Sequence, residues 1–137
     1  MRGYLLDTNV LSELVRKRPS PAVLEHLGSI PRELLATSSI CVTELRYGAA
    51  RNPEGEALWA RLAREVLPRF RILPFGLEAA GRAGDIRAAL ESRGQPIGLE
   101  DILIGATALA NGLVMVTRNL KHFERIDGLV VESWWEQ

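Results

Sequence analysis

Short apolar runs alternate along this chain with longer segments of helical periodicity, and this alternation limits the possible folds more than any other feature. The apolar runs have the length of β-strands and lie at residues 3–6, 34–39, 71–75, 113–117 and 129–134. The intervening segments carry apolar residues every three or four positions, at residues 7–17, 21–30, 41–51, 54–70, 76–94 and 99–112. Strands that alternate with helices favour a mainly parallel sheet of about five strands, with helices on both faces. We therefore predict an α/β fold.

The composition is typical of a single globular domain over residues 1–137. Hydrophobic residues make up 47% of the chain and charged residues 25%, which argues against disorder. The single cysteine, Cys41, cannot form an internal disulfide. No apolar run approaches the ~18 residues of a membrane span, and the start of the chain lacks the pattern of a signal peptide. We therefore expect a cytoplasmic protein without membrane contact.

Three acidic residues, Asp7, Glu44 and Asp101, interrupt segments that are otherwise apolar. Burial of an ionised carboxylate is costly unless the group is paired or binds a metal, so three such positions indicate acids gathered around a divalent cation. Asp7 ends the first predicted strand, Glu44 follows the second within about a turn, and Asp101 falls in the first turn of its helix. Thr117 and Asn119 follow the fourth strand. Because ligands of parallel sheets lie beyond the carboxyl ends of the strands, we expect these residues to converge on one edge.

Each acid also has a simpler explanation. Asp7 could serve only as a helix N-cap, and Asp101 only as a first-turn acid favoured by the helix dipole. Glu44 could pair with Arg46 or Arg51 on a solvated helix face. These roles remain alternatives for the individual residues, but together the three positions favour a cation site.

Two other classes of α/β protein with acids at strand ends fit less well. A receiver-like phosphoacceptor would carry its acceptor aspartate at the end of the third strand, and residues 71–75 end without one. A HAD-type phosphatase needs a second aspartate two residues after the first, where this chain has Asn9. The sequence therefore supports neither class.

Four motifs, in order across the chain, resemble those of the PIN-domain family. They are DTNVLSELV from residue 7, VTEL from residue 42, PIGLEDILIGATAL from residue 96 and VTRNLKHFERIDGLVVESW from residue 116. The similarity is greatest to the VapC-type toxins of toxin–antitoxin pairs, including the FitB-like group. The resemblance implies an endoribonuclease that depends on Mg²⁺, or on Mn²⁺ as a substitute, and that cleaves RNA such as tRNA or ribosomal RNA. It also implies an inhibitory antitoxin partner and a homodimer.

Carried over by position, the resemblance assigns Asp7, Glu44 and Asp101 to the catalytic metal site. Because Mg²⁺ takes oxygen ligands, prefers one or two carboxylates and keeps several waters, Asp7 and Asp101 would bind directly and Glu44 through water. Such a cation activates water for attack on an RNA phosphodiester. Glu100 neighbours Asp101, but the spacing from Pro96 selects Asp101 as the site residue.

The resemblance assigns supporting roles to Thr8 and Thr117, whose hydroxyls would contact a carboxylate or metal-bound water. Asn119 stands where many relatives have a fourth acid, and a neutral amide binds a cation more weakly; Asn119 could equally be only a turn residue. Arg118 and Lys121 are candidates for weak contacts with RNA phosphates. The departure at Asn119 leaves open an alternative function, a catalytically weak PIN-fold module that binds RNA or a protein partner.

The charge balance gives little support for strong nucleic-acid binding, because the net charge is zero. If a cation neutralised the three acids, 17 basic residues would face 14 acidic ones, leaving a charge of +3. Fifteen of the basic residues are arginine, whose planar fork suits phosphate. The chemistry needs no histidine, and we expect His26 and His122 to be structural or surface residues.

Overall fold

A computed structural model describes residues 2–135, which contain a five-stranded sheet with all strands parallel. The strands are β1 (Tyr4–Leu6), β2 (Leu35–Ser38), β3 (Arg71–Leu73), β4 (Val114–Val116) and β5 (Val131–Glu132). Their order across the sheet is β3-β2-β1-β4-β5. The predicted α/β class and the parallel sheet are confirmed.

Seven α-helices connect the strands within the described range. They are α1 (Thr8–Glu13), α2 (Pro21–Ser29), α3 (Ser39–Ala50), α4 (Gly55–Arg61), α5 (Leu77–Ser92), α6 (Leu99–Ala110) and α7 (Leu120–Phe123). Among residues 2–135, no helix combines the length and the apolar character that a membrane span requires.

The strand order places the candidate site at the centre of the sheet. The chain first adds β2 and β3 on one side of β1, and then adds β4 and β5 on the other side. Because crossovers between parallel strands are right-handed, this reversal puts α1–α4 on one face and α5–α7 on the other. The reversal also leaves a crevice beyond the carboxyl ends of β1 and β4, which is where such sheets bind ligands.

The central strands are fully buried, which explains why they contain almost only apolar residues. Leu5, Leu6, Met115 and Val116 have no exposed surface. Strands that are covered on both faces are expected to be continuously apolar rather than alternating. The first polar residue after each of these two strands, Asp7 or Thr117, is therefore placed at the carboxyl edge by the end of the apolar run.

The helix predicted over residues 54–70 is regular only in α4, and the rest is a π-helical turn (Leu62–Val66) followed by a 3₁₀ turn (Leu67–Arg69). Pro68 has no N–H to donate to the carbonyl of Arg64, so a regular α-helix cannot continue through it. The two turns still bury Leu62 and Val66. The apolar spacing thus identified the buried side chains correctly, but the helix type was wrong.

Two glycines on neighbouring helices give opposite predictions for stability. A methyl group added at Gly55 would overlap the backbone carbonyl oxygen of Ala49 in α3, whereas one added at Gly48 would meet no atom within 4 Å. We expect Gly55→Ala to lower the free energy of unfolding by roughly 1–3 kcal/mol through overpacking. We expect Gly48→Ala to raise it by about 0.5–1 kcal/mol, because alanine loses less conformational entropy in a helix. Urea denaturation measures both changes, and equal effects would contradict the close packing of α3 against α4.

Candidate active site

The carboxylate of Asp7 lies at the carboxyl end of β1 and is only 5% exposed. It caps α1, because its Oδ1 accepts a hydrogen bond of 2.8 Å from the Thr8 N–H. Its Oδ2 accepts a bond of 2.7 Å from the Thr117 hydroxyl at the end of β4. Asp7 is therefore an N-cap, as one alternative held, and it also joins the ends of the two central strands.

The pKa of Asp7 is raised to about 6 from an ordinary value of 3.8. Burial is the main cause, because it disfavours the charged form, and the nearby charges of Asp101 and Glu44 add to the effect. The hydrogen bonds from Thr117 and Thr8 act in the opposite direction but do not compensate. A positive charge bound close to Asp7 would favour its ionised form, so the raised pKa is consistent with a site that receives a cation.

Glu44 faces the same place from the second turn of α3. Its Oε1 accepts a hydrogen bond of 2.8 Å from the Thr8 hydroxyl, so Thr8 holds Asp7 and Glu44 at once. Partial burial is the main reason why its pKa is also raised. Within residues 2–135, Glu44 forms an ion pair with neither Arg46 nor Arg51, its two alternative partners: Arg46 is paired with Glu56 at 3.5 Å, and the Arg51 guanidinium lies over the ring of Tyr47.

Asp101 approaches the site from the first turn of α6, as predicted. Its Oδ2 lies 2.9 Å from the Nδ1 of His122, which is also 2.7 Å from the side-chain Nδ2 of Asn119. The neighbouring Glu100 is exposed and is not part of the cleft lining. The backbone N–H of Asn119 donates to the Thr117 hydroxyl oxygen at 2.9 Å, which ties this group to Asp7.

These side chains line one open cleft of about 400 Å³. Its lining consists of Asp7, Thr8, Asn9, Ser12, Glu13, Arg16, Glu44, Asp101 and Asn119. The fold thus brings together all three predicted acids, and it places Thr8, Thr117 and Asn119 beside them as the sequence predicted.

The chemistry of the donor atoms suits a hard divalent cation. Asp7, Cys41 and Glu44 each offer a ligand atom within 4.8 Å of the others, and Asp101 lines the same cleft outside this compact group. Burial, followed by the charge of Asp7, raises the pKa of the Cys41 thiol, so the sulfur keeps its proton. Mg²⁺ and Mn²⁺ prefer carboxylate oxygens to sulfur. The carboxylates are therefore the groups that fit such an ion.

Sequence reasoning missed two residues of this region, Glu13 and His122. Glu13 is buried in the cleft wall and accepts hydrogen bonds from Ser20 N–H at 2.8 Å and from Arg16 at 3.1 Å. Burial acts to raise its pKa, but these donors outweigh burial and lower it. Glu13 therefore fastens the start of α2 to α1. Helical spacing gave a signal here, since Asn9, Glu13 and Arg16 fall on one side of α1 and its extension.

His122 was expected to be a structural or surface residue, and the structure adds that it lies at the site. His122 contacts Asp101 directly, although its side chain is 43% exposed. The sequence signal was its position three residues after Asn119, the N-cap of the short helix α7, a spacing that places both side chains on the same side. His26, by contrast, lies outside the cleft and stacks on Trp134 with ring centroids 5.3 Å apart.

Arg118 and Lys121 are both exposed near the cleft. The Arg118 backbone N–H donates to the Asn9 side-chain oxygen at 3.2 Å, which fixes the segment beside a cleft residue. Its guanidinium lies over the ring of Trp135, 5.2 Å from the centroid. Lys121 belongs to α7 and directly precedes His122. Both cations are thus accessible to a phosphate, with Arg118 resting on an aromatic surface.

Known proteins resemble this chain over nearly its full length. The VapC ribonuclease Y4jK of Sinorhizobium fredii is 41% identical, with 96% of this chain and 97% of the relative covered. The tRNA(fMet)-specific endonuclease VapC of Salmonella typhimurium is 34% identical, with 98% and 99% covered. The crystal structure of FitAcB from Neisseria gonorrhoeae superposes with a TM-score of 0.89 at 36% identity, covering 98% of this chain and 99% of that one.

The sequence profile of the PIN domain matches residues 4–129, which include every strand except β5 and all three acids of the cleft. The family resemblance read from the four sequence motifs is confirmed by this match and by the relatives. The chain belongs to the PIN-domain family, and within it to the group of VapC and FitB proteins.

Proposed function

We propose that this chain is a divalent-metal-dependent endoribonuclease, a single PIN-like nuclease domain that is the toxin of a toxin–antitoxin pair. The observation that carries the proposal is the cleft in which Asp7, Glu44 and Asp101 meet at the carboxyl edge of a parallel sheet. Family membership supports the reaction type, since relatives of this chain are named ribonucleases and endonucleases.

In this proposal Asp7, Asp101 and Glu44 would hold Mg²⁺, or Mn²⁺ as a substitute, with Glu44 acting through water. The bound ion would lower the pKa of a water molecule and stabilise the charge that develops on the phosphoryl oxygens. The chain itself supplies orientation: the Thr117 hydroxyl fixes one oxygen of Asp7, and the Thr8 hydroxyl fixes one oxygen of Glu44. Because the carboxylates are held before RNA arrives, little reorganisation is needed during the reaction.

The proposed substrate is RNA of the tRNA or ribosomal class. The relative from Salmonella typhimurium is named for cleavage of tRNA(fMet), which makes initiator tRNA the first substrate to try. Arg118 and Lys121 are proposed to make weak phosphate contacts beside the cleft, since both are exposed and close to cleft residues. We also propose a cytoplasmic location, because tRNA and ribosomal RNA are found there.

The proposed partners are an antitoxin and a second copy of the chain. Tyr47, three residues after Glu44 and on the same side of α3, is 61% exposed. A large exposed aromatic side chain on the side of α3 that carries Glu44 suits a protein segment that covers it and inserts a basic side chain among the acids. The proposed dimer is supported by exposed Ile72, which lies on the edge strand β3.

The second candidate function is an RNA- or partner-binding module with weak catalysis. Asn119 favours it, because a neutral amide stands where many relatives have an acid, and the side chain of Asn119 is engaged with His122. The two functions differ in their response to a chelator: EDTA abolishes cleavage by a metal-dependent enzyme and leaves binding by a module intact.

The first test compares two acids on one helix. We expect Mg²⁺-dependent cleavage of RNA that leaves a 5′-phosphate, and we expect Asp101→Asn to reduce the rate at least about 100-fold because a ligand of the cation is lost. Glu100→Gln removes the same charge from the exposed neighbour and should keep most of the activity. Gel assays on tRNA with Mg²⁺ and with EDTA measure the rates. Comparable losses in both variants would remove Asp101 from the proposed site.

The second test uses the raised pKa of Asp7. Its folded-state pKa of about 6 exceeds the ordinary 3.8 of an unfolded chain, so protonation favours the folded state. In EDTA, the contribution of Asp7 to the stability of the wild type should therefore be greatest below pH 4 and should fall by up to about 3 kcal/mol as the pH rises from 4 through 6. Asp7→Asn should not show this loss, so at pH 7 it should be equally or more stable while inactive. The exposed Asp85→Asn is the control.

Melting curves with Mg²⁺ complete this test. A ligand at ~100 times its dissociation constant stabilises by about 2.7 kcal/mol, so Mg²⁺ should raise the melting temperature of the wild type, and Asp7→Asn should lose most of that rise. A clear destabilisation of Asp7→Asn in EDTA, together with no effect of Mg²⁺ on either protein, would mean that Asp7 is a structural cap.

The third test concerns association. We expect light scattering to give twice the mass of one chain at micromolar concentration. Ile72→Glu places a charge on the exposed edge strand and should shift the protein toward the monomer, whereas Leu24→Glu changes a comparably exposed leucine on α2 and should not. A monomeric wild type at high micromolar concentration would exclude the dimer. A dimer that survives Ile72→Glu would exclude β3 as its interface.

A further inference from the structure

The three acids of the proposed cation site, Asp7, Glu44 and Asp101, each have one side-chain hydrogen-bond partner, but the partners are of two kinds. The Thr117 hydroxyl donates to Asp7, and the Thr8 hydroxyl donates to Glu44. The Asp101 carboxylate is contacted instead by the imidazole of His122, at 2.9 Å. Among residues 2–135, no other group donates to the Asp101 side chain. His122 thus contacts Asp101 in the way that a threonine hydroxyl contacts each of the other two acids.

The proton of this contact can be assigned from the partners. An ionised carboxylate has only acceptor atoms, so the Nδ1 atom of His122 must carry hydrogen to bond Asp101. The side chain of Asn119 lies 2.7 Å from the same nitrogen. Its NH₂ group cannot face Nδ1–H, because two hydrogen-bond donors would then point at each other. Because amide nitrogen and oxygen are nearly indistinguishable in shape, the consistent arrangement turns the Asn119 oxygen toward Nδ1–H. His122 would then engage the Asn119 oxygen and withdraw it from binding a second cation.

The segment that follows His122 packs closely on the side of α6 that carries Asp101. Gly105 is four residues after Asp101, so the two lie on the same side of α6. A methyl group at Gly105 would lie 2.6 Å from the Ile126 side chain and 3.6 Å from that of Phe123. Both of these side chains are buried, and Phe123 directly follows His122. The missing side chain of Gly105 therefore lets the segment from α7 approach closely enough for His122 to reach Asp101.

We propose that His122 is a positioning residue of the cation site. It donates Nδ1–H to the Oδ2 atom of Asp101, holds this carboxylate in one orientation, and leaves the Oδ1 atom for the ion. The inference rests on the proposed metal-dependent function. It adds that His122, which is not one of the three acids, affects how tightly the cation binds. Hydrogen bonds to the ligands of a metal typically change its affinity by 10–100-fold when they are removed.

Three substitutions at position 122 separate the hydrogen bond from packing. His122→Asn keeps an N–H close to the place of Nδ1, His122→Gln extends its amide toward the place of Nε2, and His122→Leu fills similar space without a donor. His26→Leu, at the other histidine of the chain, is the matched control because it lies outside the cleft. The Asn and Gln variants are both polar and partly exposed, so they remain informative if the Leu variant fails to fold.

The measurement is calorimetric titration with Mn²⁺ and Mg²⁺ in the absence of RNA, followed by the Mg²⁺ dependence of tRNA cleavage. We expect His122→Leu and His122→Gln to weaken cation binding about 10–100-fold, with a matching rise in the Mg²⁺ concentration for half-maximal cleavage. His122→Asn should stay within about threefold of the wild type, and His26→Leu should be unchanged. The KM for RNA at saturating Mg²⁺ should be similar in all four variants.

The outcomes distinguish this inference from the proposed function. Equal cation affinity in the wild type and all variants at position 122 would overturn the role of His122 and leave the metal-dependent enzyme intact. An Asn variant as defective as the Leu variant would show that the imidazole acts by packing and not as a donor. A wild type that binds neither Mn²⁺ nor Mg²⁺ would overturn both proposals.

Discussion

The burial of the Asp7 carboxylate at the centre of the sheet is the constraint on which the rest of the site depends. Its two oxygens accept hydrogen bonds from the Thr8 N–H and the Thr117 hydroxyl, so one side chain connects β1, α1 and the end of β4. Because its pKa is nevertheless raised to about 6, these donors do not offset the loss of hydration. The fold thus buries the Asp7 carboxyl group at the carboxyl edge of the sheet, where its charged form is disfavoured. A local conflict of this kind is expected at functional sites.

The cleft has two halves that belong to opposite faces of the sheet. On the face of α1–α4, Thr8 holds Asp7 and Glu44 in one compact group. On the face of α5–α7, Asp101 is held by His122. The halves meet at Thr117, whose hydroxyl donates to Asp7 and accepts from the Asn119 backbone. A cation bound by both halves would therefore link the two sets of helices beside the direct contact of α3 with α6.

The sequence predicted the parts of this arrangement that follow from local pattern. Apolar runs located the strands, and their ends placed Asp7 and Thr117 at the carboxyl edge, because a buried strand ends where polar residues begin. The position of Asp101 in a first helical turn was also predictable. The contact of His122 with Asp101 was not, since it depends on the close approach of two segments at Gly105. A glycine inside an apolar helix predicts a particular close contact only when the segment that packs against it is known.

Charge in the cleft connects cation, substrate and inhibitor. With Asp7, Glu44 and Asp101 ionised and the buried Glu13 already bonded to Arg16, an RNA phosphate meets a field of its own sign. A divalent cation would offset two of these three negative charges and weaken the repulsion, so the cation and the phosphate would strengthen each other's binding, and this coupling is reciprocal by thermodynamic necessity. A basic side chain inserted by a partner protein would satisfy the same carboxylates without supplying Lewis acidity. Such a partner would therefore compete with the cation directly, and inhibition would require no conformational change in the fold.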